Sequence, residues 1–111
     1  MDQFISELLK KRGESPIEME LSPFEAEILL RHTKGESRPI SIRRIAKFEE
    51  RMLSGDWDKR KEDESPIAID YQTGDIIDGQ HRLLALIKAG CRKKDSSKFK
   101  IKVSIEFVKQ D

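Results

Sequence analysis

The stretch DIIDGQHRLLALIKAG, Asp75 to Gly90, reads as a short apolar strand that breaks at Asp78-Gly79 into an amphipathic helix. A helix start carries free backbone N–H groups and partial positive charge, so acidic residues are expected in its first turn. This one opens instead with His81 and Arg82. Asp78 is positioned as the N-cap, Gly79 lets the backbone turn closely, and the N–H groups of Gly79, Gln80 and His81 then point outward from the carboxyl end of a strand. Such a turn is an anion site, and a phosphate bound there would make ligands of His81 and Arg82 instead of a small electrostatic cost. The bland reading is that Arg82 is solvated or paired with an acidic neighbour such as Asp75.

On either side of this stretch the pattern is legible. Residues 2–12 place Phe4, Ile5, Leu8 and Leu9 on one face of a short helix that Gly13 stops. Ile17, Met19 and Leu21 alternate with glutamates, the period of a half-exposed strand. Ser22-Pro23-Phe24-Glu25 supplies a cap, a first-turn proline and a capping-box glutamate for a helix to about His32. A polar loop, 32–39, leads to a second amphipathic helix built on Ile42, Ile45, Phe48, Met52 and Leu53 and ended by Gly55. Pro66 introduces a strand at Ile67 to Ile69, a turn over 71–75 returns the chain as Ile76-Ile77, and the helix from Gly79 to Ala89 follows, stopped by Gly90. Finally Phe99, Ile101, Val103, Ile105 and Phe107 alternate with polar residues as a last strand. The order is helix, strand, helix, helix, strand, strand, helix, strand, which predicts a small α+β domain with a short mixed sheet and three to four helices. Residues 1–13 read as a helical appendage and 14–111 as the domain proper.

Composition narrows the function classes. A chain of 111 residues is enough for one modest core. Its 22 basic and 21 acidic residues leave a formal charge of +1, so any anion site has to be local. The lone cysteine, Cys91, excludes an internal disulfide and fits a reducing compartment. With no apolar run near the ~18 residues that span a bilayer, and no signal-type leader, the expectation is a cytoplasmic protein without a membrane partner. Two histidines and one cysteine make no zinc-type constellation. P-loop, HExxH and GxSxG strings are absent.

The run from Ile76 to Leu83, with Ala85 and Gly90, resembles the signature of the ParB/sulfiredoxin-like superfamily, and DGQHR is similar to a branch described in phage and bacterial proteins as ParB-like nuclease domains. Further landmarks recur in order: Arg38-Pro39, the helix ending at Met52 to Trp57, and Pro66-Ile67 before a strand. The resemblance covers roughly residues 17–108. It implies that Gly79, Gln80, His81 and Arg82 bind the phosphates of a nucleoside triphosphate, ATP or CTP with Mg²⁺, and that Arg38 closes over them. Asp78 then either caps the helix or aids a metal ion or acts as a base in phosphoryl transfer, with His81 beside it. Sulfiredoxins carry their nucleophilic cysteine where this chain has Gln80, and Cys91 lies about 15 Å or more away by helical rise, so sulfinic acid reduction is not expected. Partition proteins have Glu-Arg-Arg after the glycine, where this chain has Gln-His-Arg, and Ser37 stands where the branch has asparagine.

Three other features have two readings each. Trp57 closes the second amphipathic helix as a core anchor or stacks on a base. Asp56 and Asp58, with Glu62, Asp63 and Glu64, are a solvated loop or a Mg²⁺ site. The basic residues Arg92, Lys93, Lys94, Lys98, Lys100 and Lys102 are either a solubilising edge that protects the last strand or a patch for DNA phosphates. The expected function is therefore nucleotide binding at the DGQHR turn, as an NTPase or phosphotransferase. The alternative is a non-catalytic module that binds DNA or a host protein.

Overall fold

The computed structural model describes residues 2–33, 39–57, 65–95 and 98–109. Helix α1 spans Gln3–Lys10, strand β1 Ile17–Leu21, helix α2 Pro23–His32 and helix α3 Ile42–Ser54. Strands β2, Ile67–Asp70, and β3, Ile76–Asp78, then form a hairpin, followed by helix α4, Gln80–Cys91, and strand β4, Ile101–Val108. The α+β architecture expected from the sequence is the one observed.

Each boundary has a local cause. Ser22 and Glu25 form a reciprocal capping box at α2, with Pro23 in the first turn. Ser41 caps α3 by accepting from the Arg44 amide, and Gly55 ends that helix at φ 85°, a left-handed conformation that favours glycine. The hairpin turn is held by Asp70, whose Oδ1 accepts from the amides of Gln72 and Thr73 at 2.8 and 2.9 Å. Those two donors hold its carboxyl below the usual carboxylate value.

The sheet order is β1-β4-β2-β3. β4 runs antiparallel to β1 and parallel to β2, so Ile105 lies between Ile17 and Ile67. Ile101, Val103, Ile105 and Phe107 all turn inward and share one core with Ile45, Phe48 and Met52 of α3 and Leu83, Leu86 and Ala89 of α4. Helix α4 packs against both α2 and α3. Burial of this set, at about 25 cal/mol per Å² of apolar surface, is the main force holding the layers together.

Three expectations change. The N-terminal helix is not peripheral: Ile5 is fully buried and Leu8 and Leu9 join the same core. Its apolar face is satisfied by the domain, which is why so short a helix forms at all. The helix expected to stop at Gly90 runs on through Cys91, with Gly90 buried inside it and the cap at Arg92. Lastly, β4 is an interior strand, so the lysines beside it cannot be protecting an exposed edge. Lys102 instead makes a cross-strand ion pair with Glu18 at 3.4 Å.

Candidate phosphate site at two helix starts

Gly79 makes the turn by itself. Its φ of 112° is left-handed, and a Cβ placed there would meet the side chain of buried Ile67 at 3.0 to 3.3 Å. The turn therefore needs a residue with no side chain for two separate reasons. Asp78, expected as the N-cap, is instead the last residue of β3, and Gly79 is the N-cap with no side-chain capping bond. The tight glycine turn leaves Asp78 one position too early for its carboxylate to reach the helix amides, and it faces solvent.

The first hydrogen bond of α4 runs from the Leu83 amide to the Gly79 carbonyl at 3.1 Å. The amides of Gln80 and His81 thus stand ahead of the helix's own ladder. His81 reaches across to the start of α3, where its Nε2 accepts from the Ser41 amide at 3.0 Å. This bond brings two helix N-termini together. Neither has an acidic residue in its first turn, whereas Arg43 and Arg44 open α3 and His81 and Arg82 open α4. Two positive dipole ends thus meet where ordinary helix statistics would place carboxylates.

His81 takes part as a neutral ring. An Nε2 that accepts carries no proton, which leaves the proton on Nδ1. Partial burial, and next the charge of Arg44, hold its pKa below the usual imidazole value against the opposing pull of Asp78.

Arg82 has a different task from the one expected. Its side chain is buried, and its guanidinium donates to the Ser65 carbonyl and, at 3.2 Å, to the Pro66 carbonyl. It ties the start of β2 to the first turn of α4 and is committed to protein acceptors. Arg38 lies outside the described residues, as do Asp58, Glu62, Asp63 and Glu64. Among the described residues no group of three or more His, Cys, Asp or Glu side chains could hold a metal ion. Asp78 is the carboxylate adjoining the turn, and one carboxylate with nucleotide phosphates is a common way to hold Mg²⁺.

Trp57 and the basic loop make contacts within the domain. Trp57 is buried, meets Phe48 edge-on at 6.0 Å and donates from Nε1 to the Lys102 carbonyl at 2.9 Å, which leaves no face for a base. In the basic loop, Arg92 pairs with Glu49 at 2.9 Å, Lys98 lies 4.0 Å from Asp95, and Lys93 sits over the Phe99 ring. Among the described residues no helix is long and apolar enough to cross a membrane.

Sequence reasoning missed Ser41 and Arg44. The signal was present, since Ser41-Ile42-Arg43-Arg44 repeats the charge inversion that marks the start of α4. Comparisons with protein-family models, curated proteins and solved structures returned no match.

Proposed function

We propose that the protein binds the phosphate groups of a nucleotide where α3 and α4 begin. The observation that carries this reading is the convergence of two helix N-termini, joined by the His81–Ser41 bond, with only basic charged side chains in their first turns. The Gln80, His81, Ile42 and Arg43 amides, the Arg43 and Arg44 guanidiniums and the dipole ends all favour an anion. The resemblance of DGQHR to ParB/sulfiredoxin-like proteins supports a nucleoside triphosphate such as ATP or CTP over free phosphate. Asp78 is the residue to hold Mg²⁺ or take a proton if phosphoryl transfer follows, and Arg82 acts as a strut that positions the turn. The pairing of Arg92, Lys98 and Lys102 with acidic neighbours gives the DNA-binding alternative less support.

The test is calorimetric titration with ATP, CTP, GTP and UTP, with and without Mg²⁺, on the wild type and on Arg44→Glu. Both Arg43 and Arg44 are exposed, and because the Arg44 guanidinium also lies 5.7 Å from the centroid of the Phe48 ring, thermal denaturation of the variant accompanies the titration to show that it is folded. Saturable binding that the variant loses supports the site. Absence of binding at millimolar nucleotide refutes it.

A further inference from the structure

The contact that joins the two helix starts has only one acceptor, and that acceptor can be protonated. The Ser41 amide has a fixed hydrogen, so its bond to His81 Nε2 at 3.0 Å requires that nitrogen to be bare. Once Nε2 gains a proton, two donors face each other and the bond is gone. We propose that His81 is a proton-operated latch that fastens the first turn of α3 to the first turn of α4 when neutral and releases it when charged.

The surroundings set the balance of this latch. Arg44 from α3 disfavours a second positive charge, and Asp78 from the end of β3 favours it. Arg82, on the same helix, is turned to the Ser65 and Pro66 carbonyls. Release is local, because α3 is anchored farther along by Ile45, Phe48 and Met52 in the core. The portion freed is the cap itself, Ser41 with Ile40 and Ile42, two large apolar side chains that are 51% and 76% exposed. The latch does not depend on nucleotide binding. It shares the His81–Ser41 bond with that reading but is measured on the protein alone, by amide protection, whereas that reading is tested by nucleotide titration, so the two failures are distinguishable.

The experiment follows the protection of the Ser41 amide against hydrogen exchange by NMR from pH 8 to pH 4, relative to its intrinsic rate. The His81 imidazole is titrated in the same samples, with the Leu86 amide as a report on global unfolding. Protection of Ser41 should fall at least tenfold, with a midpoint that matches the His81 titration, while Leu86 stays protected. His81→Ala should leave Ser41 unprotected throughout, and His81→Gln, which offers an acceptor that does not titrate, should hold protection flat. Protection of Ser41 that is independent of pH in the wild type, or a fall that persists in His81→Gln, overturns the latch. If the glutamine fails to reach Ser41, agreement or disagreement of the two wild-type midpoints still decides.

Discussion

Gly79→Ala isolates the physics of the turn. Alanine at φ 112° has to hold a conformation that side-chain-bearing residues avoid, at about 1–3 kcal/mol. Its Cβ also arrives 3.0 Å from Ile67 Cγ1 and 3.1 Å from Cγ2, in a side chain that is fully buried and has no room to retreat. Overpacking of that kind costs about 1–3 kcal/mol more. A total of about 3 kcal/mol is a large share of the ~5–15 kcal/mol that holds a domain together. At about 4 °C per kcal/mol for a domain of this size, the melting temperature should fall by about 12 °C. Urea denaturation followed by Trp57 fluorescence measures the same loss as a shift in midpoint at unchanged slope. Ile67→Ala removes the colliding atoms, so the double variant should be less destabilised than the sum of the singles by about 1 kcal/mol, and the backbone share should remain. A loss below about 0.5 kcal/mol for Gly79→Ala would refute both the left-handed geometry and the close approach.

Arg82→Lys keeps the charge but cannot span the Ser65 and Pro66 carbonyls, and thermal denaturation should show a loss of about 2 kcal/mol, typical of a charged hydrogen bond. Because the folded state holds His81 below the usual imidazole value, the unfolded chain takes up the proton first on acidification. The His81 contribution to stability is complete above about pH 6.5 and is lost as the pH falls through the lowered folded value, so the difference in stability between wild type and His81→Gln should depend on pH only below that point. Trp57→Phe retains most of the packing against Phe48 but leaves the Lys102 carbonyl without its indole donor, and chemical denaturation should register about 1 kcal/mol.

The elements of the fold were legible because they rest on local rules: the capping box at Ser22, the glycine after Ser54, and the strict alternation from Ile101 to Phe107. What was not legible depends on contacts between distant residues. No local pattern reveals that β4 enters the middle of the sheet, or that the face of α1 is claimed by the core. The candidate site divides in the same way. The glycine turn and its reversed charges can be read from one stretch, but Ser41 lies forty residues upstream of the His81 that holds it. Arg82 misled for a related reason. An arginine one turn into a helix looks the same in sequence whether it points to solvent or braces a neighbouring strand, and only the positions of Ser65 and Pro66 decide between them.

The place of β4 governs the order in which this chain can fold as it leaves the ribosome. Ile17 pairs with Ile105, Ile67 pairs with that same residue, and the indole of Trp57 donates to Lys102. Every one of these partners is made late. Until residues 101–108 emerge, β1 has no hydrogen-bonded neighbour in the sheet and the inward side chains of α3 and β2 lack the surface that covers them. Nascent chains arrested short of residue 101 should therefore be open to proteases and chaperones along their length, and release of the last strand should close the whole domain in a single cooperative step.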